Sequence, residues 1–196
     1  MRRPPRIIAG EFKGRPLEFP RGAELRPTAD RVREALFSSL APYLPGARFA
    51  DLFAGTGAVG LEALSRGADF ALFVESNPRC VQALRANVAK LEVEAWVVVA
   101  PGRAERIWPR LAAEHGPFDV IFLDPPYADR GGEDVLALLL GDGLGLAAEG
   151  AGLRPQIIFQ HGRRTPPASP VEPWRAQDFG ETRLSWYRLP SPGGAE

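Results

Sequence analysis

Short apolar runs, each feeding a longer stretch of helical periodicity, recur along the middle of this chain, and that alternation leaves few folds open. Residues 48–53, 70–75, 96–99, 118–124 and 156–160 read as strands, and residues 59–66, 78–91, 104–114 and 132–140 as the helices between or beside them. Val81, Leu84, Val88 and Leu91 recur at three- and four-residue spacing and form one apolar helix face. Strands that are apolar throughout belong in a sheet covered on both sides. The expected architecture is therefore α/β: a Rossmann-like, mostly parallel sheet with helices on both faces.

The flanks depart from this rhythm. Arg6-Ile7-Ile8-Ala9-Gly10 and Gly14-Arg15-Pro16-Leu17-Glu18-Phe19 read as a small N-terminal β-hairpin extension. A helix begins near Thr28, carries Val32, Leu36 and Leu40 at helical spacing, and stops at Pro42 and Pro45-Gly46. Residues 179–182 and 184–189 read as a terminal hairpin. The expected organisation is a basic extension over residues 1–27, the main domain over 28–190 and a frayed tail over 191–196.

With 196 residues and 45% hydrophobic content, the chain can bury one principal core. Its apolar runs fall far short of the roughly 20 residues that span a bilayer, and residues 7–9 are too short for the apolar region of a signal peptide. A cytoplasmic protein is expected. The single cysteine, Cys80, excludes an internal disulfide and a cysteine-cluster metal site, and no metal is expected. The 24 basic and 24 acidic residues balance, but residues 1–48 hold ten Arg or Lys against five Asp or Glu. A basic segment on a mildly acidic body suggests a footprint for phosphate, with a solvated face as the alternative.

Asp51-Leu52-Phe53-Ala54-Gly55-Thr56-Gly57-Ala58-Val59-Gly60 sets a G-x-G-x-x-G between a strand and a helix, where glycines let a ligand lie against the main chain. Phe53, Gly55, Thr56 and Gly57 are candidate cofactor contacts. Glu75, with Ser76 beside it, ends the next strand, where a carboxylate accepts hydrogen bonds from ribose hydroxyls. Asp51, just before the loop, would sit close to a pyrophosphate but could pair with the ammonium of a methionine moiety, which favours S-adenosylmethionine over NAD. The alternative for Asp51 is a helix-facing cap. Arg103 and Ala104 lie after the following strand, where an adenine would be held.

Asp124-Pro125-Pro126-Tyr127 follows an apolar strand, and ligands in open α/β sheets bind at such strand ends. An exocyclic amine on a nucleobase is a poor nucleophile because its lone pair is delocalised into the ring. The Asp124 side chain and the Pro125 carbonyl can accept its two N–H bonds and orient the lone pair toward a methyl donor. Pro125 and Pro126 bring no backbone donors to compete, and Tyr127 could stack on the base. A plain proline turn is the alternative.

In combination, residues 6–10, 14–15, 26–37, 51–68 and 118–127 closely resemble the RsmD family of bacterial ribosomal RNA methyltransferases. The run from Arg26 to Phe37 carries most of the family specificity; the glycine loop and the Asp-Pro-Pro-Tyr motif are shared more widely, the latter with DNA adenine-N6 methyltransferases. The resemblance implies a seven-stranded sheet, S-adenosyl-L-methionine as cofactor, and methylation of a guanine N2 amine in 16S rRNA of the small ribosomal subunit or its assembly intermediate. Carried over by position, Asp51, Gly55 and Gly57 bind cofactor, Glu75 binds ribose, and Asp124 to Tyr127 hold the amine. Arg103 stands where such enzymes often carry Asp or Asn, and Gln160 where Glu is common.

Arg6, Arg15, Arg26, Arg31 and Arg33 are candidate RNA contacts, because a planar guanidinium donates two hydrogen bonds to phosphate. Arg26 and Arg31 are expected to touch RNA or to close over the cofactor, and the alternative is a surface ion-pair set such as Asp30 with Arg33. A monomer is expected. Trp96, Trp108 and Trp186 are expected in core or hairpin packing, and His161 in a loop. The competing readings are a DNA adenine-N6 methyltransferase using the same tetrapeptide, a non-catalytic RNA-binding assembly factor with a vestigial cofactor pocket, and an NAD-dependent dehydrogenase.

Overall fold

The computed structural model describes residues 5–20, 29–126, 130–142, 144–146 and 154–188. In chain order its elements are α1 (Ala29–Leu40), β1 (Arg48–Asp51), α2 (Ala58–Ser65), β2 (Phe70–Glu75), α3 (Pro78–Leu91), β3 (Val97–Pro101), α4 (Ala104–His115), β4 (Val120–Leu123), α5 (Gly131–Asp142), β5 (Gln156–Gly162), β6 (Arg175–Phe179) and β7 (Thr182–Tyr187). They form one seven-stranded sheet in the order β3-β2-β1-β4-β5-β7-β6. The first five strands of that order pair in parallel, while β7 runs antiparallel to both β5 and β6. The doubly wound reading and the seven strands implied by the family resemblance both hold.

Alternation along each central strand divides the interior into two cores. Phe49, Phe73, Val120 and Phe122 point to one face, where α1 adds Val32, Leu36, Phe37 and Leu40. Ala50, Leu72, Val74, Ile121 and Leu123 point to the other, against Trp108 and Leu111 of α4 and Val135, Leu136 and Leu139 of α5. Helix α3 starts where the sequence invites it: Asn77 accepts the Arg79 N–H at 2.9 Å and Pro78 takes the first helical position.

Four local expectations shift. The terminal hairpin turns at Gly180-Glu181, with Phe179 paired to Thr182, so its first strand begins at Arg175 and its second ends at Tyr187. Strand β6 lies on the sheet edge with residues alternating between half-buried and exposed, and so presents no apolar run to read. Trp96 closes a single 3-10 turn ahead of β3 and is 49% exposed, whereas Trp108 and Trp186 are buried. His161 lies inside β5, buried, with its ring nitrogens against the Ser185 hydroxyl and the Gly162 carbonyl.

The N-terminal segment has hairpin-like pairing, but Arg6 and Pro16 alone form a β-bridge rather than two regular strands. The Ile7, Gly14 and Leu17 N–H groups pair within the segment, on the Arg15, Ile7 and Pro5 carbonyls, while other donors go to α2. The fully buried Glu62 carboxylate of α2 accepts the Ile8 and Ala9 N–H groups at 2.7 and 2.9 Å, and Ser65 Oγ accepts the Phe12 N–H at 3.0 Å. Ile7, Phe12 and Leu17 thereby join the same core as α1. Glu62 also pairs with Arg66 at 2.8 Å and lies 4.0 Å from Arg33. No helix among the described residues is long and apolar enough to cross a membrane.

Replacing Glu62 by Ala leaves the Ile8 and Ala9 N–H groups and the Arg66 guanidinium without their acceptor and removes the negative charge 4.0 Å from the buried Arg33. Glu62→Ala should cost about 3–5 kcal/mol, the usual effect of removing one partner from a buried charge pair. Urea unfolding checks this; a loss below about 1 kcal/mol, the range of exposed ion pairs, would contradict it.

Candidate active site

The sheet order reverses between β1 and β4, and the loops that leave these two strands part in opposite directions to open a crevice. A cavity of about 560 Å³ occupies it, a size typical of small-molecule sites. Phe53, Gly55 and Thr56 from the loop after β1 line it, with Glu75 and Ser76 after β2, Arg103 and Ala104 after β3, and Asp124, Pro125 and Pro126 after β4. Ten of the candidate cofactor and catalytic residues thus share one cavity.

The glycine loop turns on two left-handed residues, Gly55 at φ 55° and Gly57 at φ 83°. A Cβ on Gly57 would come within 2.3 Å of Leu84 Cδ1, so this glycine admits the packing of α3 against the loop. One on Gly55 would meet no protein atom within 4 Å, so the glycine leaves free space where it lines the cavity. Glu75 ties the loop to the next strand end: its Oε2 accepts the Gly55 N–H and its Oε1 the Asn77 N–H, both at 2.7 Å. Each carboxylate oxygen keeps a lone pair for a further donor, such as a sugar hydroxyl. The residues present therefore fit a nucleoside-bearing cofactor.

Asp51 and Gly57 lie outside the cavity lining. Asp51 is 1% exposed and its Oδ2 accepts the Gly60 N–H at 3.2 Å, the geometry of the helix-facing cap. Burial, reinforced by the charges of Asp124 and Glu75 and opposed by the Gly60 N–H, pushes its carboxyl up to about 8. Arg103 is exposed and pairs with Glu105, which also lines the cavity. Tyr127 falls outside the described residues. Pro125 is buried against Gly132 of α5, which fixes the first proline; Pro126 is exposed.

Sequence reasoning missed several walls of the cavity. Pro5 and Phe19 of the N-terminal segment, Val32 of α1, Cys80 of α3, Gln160 at the end of β5 and Thr182 of β7 all line it. Their contribution depends on tertiary placement that no motif records. Gln160, Pro125 and Pro126 also line a smaller cleft of about 90 Å³, together with Glu133, Phe159 and Pro166.

Among the candidate RNA contacts, Arg6, Arg15 and Arg31 are exposed, and Arg15 donates to the Lys90 carbonyl at 3.3 Å. Arg26 lies outside the described residues. Arg33 is corrected: it is 4% exposed and donates to the Arg6 carbonyl at 2.7 Å and to Asp30 at 2.9 Å, the ion-pair alternative. Burial lowers its pKa against the opposing pull of Asp30 and Glu62. Among the described residues no group of three or more His, Cys, Asp or Glu side chains forms a potential metal site.

A parallel sheet closed by an antiparallel pair, with a glycine loop after β1 and Asp-Pro-Pro after β4, defines the Rossmann-like fold of class I methyltransferases. A family model described as Conserved hypothetical protein 95 matches residues 5–188. The chain belongs to that family, the RsmD family. Ribosomal RNA small subunit methyltransferase D of Escherichia coli strain K12 is 41% identical over 138 residues, covering 70% of this chain and 68% of the relative. Its namesake from Haemophilus influenzae is 32% identical over 185 residues, covering 94% and 92%. The solved structure of the Escherichia coli protein yhhF superposes with a TM-score of 0.76 at 34% identity, covering 94% of this chain and 97% of that one.

The Asp51 carboxyl makes ligand-free stability depend on pH. Between its ordinary value of 3.8 and about 8 the folded chain holds a proton that the unfolded chain has lost. This contribution is complete below the lower value, falls by about 1.4 kcal/mol per pH unit and is gone above the upper one. Asp51→Asn should remove that decline in urea unfolding series between pH 5 and 8. The same slope in both proteins would contradict the assignment.

Proposed function

We propose that this chain transfers a methyl group from S-adenosyl-L-methionine to the exocyclic N2 amine of a guanine in 16S rRNA, within an assembling small ribosomal subunit. The observation that carries this reading is the single cavity that joins the glycine loop after β1 to Asp124-Pro125-Pro126 after β4. The named relatives, small-subunit rRNA methyltransferases, support the substrate class.

When bound, the cofactor supplies an electrophilic methyl group on a sulfonium. The chain's own residues do the rest. Glu75 offers acceptors to the ribose, the backbone of Gly55 and Thr56 leaves room for the methionine part, and Arg103 with Ala104 flanks the adenine. Asp51 holds the first turn of α2 in place and acts on the site through the Gly60 N–H.

At the other end of the cavity, the Asp124 carboxylate and the Pro125 carbonyl accept the two amine protons in hydrogen bonds. This directs the nitrogen lone pair at the methyl group and offsets the positive charge that grows on nitrogen. The proline pair supplies no backbone N–H to compete for those acceptors. Tyr127 stacks on the extruded base. Arg6, Arg15, Arg26 and Arg31 bind RNA phosphate, so that residues 1–27 serve RNA binding, residues 28–190 carry the chemistry and 191–196 do neither. The protein works as a cytoplasmic monomer.

Small-subunit particles from cells lacking the modification should acquire label from radiolabelled S-adenosylmethionine. Asp124→Ala should lower turnover by about 10²–10³-fold, the effect of losing one transition-state hydrogen-bond partner, while leaving cofactor affinity unchanged. Absence of labelling by a cofactor-bound wild type would overturn the substrate. Full turnover by the variant would overturn the role of Asp124.

A further inference from the structure

Asn87 of α3 is fully buried although its side chain is an amide, and its partners belong to two segments far apart in sequence. Its Oδ1 accepts the Glu18 N–H at 2.6 Å, while its Nδ2 donates to the Glu18 carbonyl at 3.2 Å and to the Thr56 carbonyl at 2.9 Å. Both of its donors and one lone pair are thus committed. Toward Glu18 it behaves as a neighbouring strand would, satisfying donor and acceptor of one residue; toward Thr56 it holds the middle of the glycine loop.

Both tethered segments are walls of the cavity. Thr56 lines it directly, and Phe19, the residue after Glu18, lines it from the N-terminal segment. Thr56 lies between Gly55 and Gly57, two left-handed residues whose alternatives are many, so a fixed carbonyl between them restricts the loop's shape. The other anchors of the segment leave the loop alone: Glu62 holds Ile8 and Ala9, and Ser65 holds Phe12 and Ala9.

We propose that Asn87 is a positioning residue that couples the Glu18 end of the N-terminal segment to the glycine loop, so that the loop takes its cofactor-binding shape only while that end is seated. The inference rests on the reading of that loop as the S-adenosylmethionine site. It gives the basic segment a second task. RNA that holds Arg6 and Arg15 in place favours the same Glu18–Asn87–Thr56 arrangement that the cofactor requires, so each ligand raises the affinity for the other.

Calorimetric titration of the full chain with S-adenosylhomocysteine, alongside melting temperatures, tests this. Asn87→Ala should weaken binding at least tenfold. Asn87→Asp, which keeps an acceptor for Glu18 but has no donor for Thr56, should weaken it comparably. Ser65→Ala loosens the segment at Ala9 and Phe12, leaving Glu18, Asn87 and the loop untouched, and should lower the melting temperature while keeping Kd within twofold. Asn87 variants within twofold of wild type would overturn the coupling, as would a Ser65→Ala variant that loses as much affinity as Asn87→Ala at an equal loss of melting temperature.

Should the Asn87 variants fail to fold, amide exchange in the wild type decides. Saturating S-adenosylhomocysteine should slow exchange at Glu18 more than at Phe12, and equal slowing would overturn the coupling. A wild type that binds no S-adenosylhomocysteine would overturn the functional reading and the coupling together; a binding wild type matched by its Asn87 variants overturns the coupling alone.

Discussion

Three carboxylates gather at the ends of three adjacent parallel strands, and the crevice works only because each is handled differently. Register brings them together: Asp51 of β1 pairs with Phe73 of β2 and with Phe122 of β4, two residues short of Glu75 and Asp124. Left alike, they would repel one another in a space with little water. Burial pushes Asp51 toward its neutral form, with its oxygen on the Gly60 amide. Glu75 is surrounded by backbone donors from Gly55 and Asn77. Asp124 is half-buried at the cavity wall. One acid supports the loop, and the proposed function assigns one to the cofactor and one to the amine.

The fold was legible because its signals are local. Apolar runs of strand length separated by helical periodicity name a doubly wound sheet without knowledge of which strands meet, and Asn77-Pro78 marks the start of α3 outright. The edge strand β6 was misjudged because an edge strand with one exposed face carries no such run. The position of His161 was misjudged because a buried histidine satisfied by Ser185 across the β5–β7 pair looks the same in sequence as one in a loop.

The site divides along the same line. Backbone-driven features such as the glycine loop, the acid at the end of β2 and the proline pair after β4 were readable, since their residue types follow from the conformations they serve. Asp51 and Arg33 were harder. Each is a charged residue beside a functional motif, and only burial shows that one caps a helix while the other pairs with Asp30 and approaches Glu62. Pro5, Phe19 and Asn87 could not be found at all, because their relation to the cavity exists only once the N-terminal segment has folded across α2 and α3.

That segment is more than an appended footprint for RNA. Its apolar residues fill the core beside α1; Glu62, Ser65 and Asn87 accept its backbone N–H groups, and its Pro5 and Phe19 form part of the cavity wall. The basic segment and the glycine loop are thereby parts of one packed unit. The most direct test of the chemistry this unit performs is mass spectrometry of nucleosides from small-subunit RNA, taken from particles that lack the modification and are then treated with the protein and S-adenosylmethionine. The account predicts one new N2-methylguanosine per particle. Methyl groups found on adenine N6 instead, or on no nucleoside while the cofactor is bound, would contradict it.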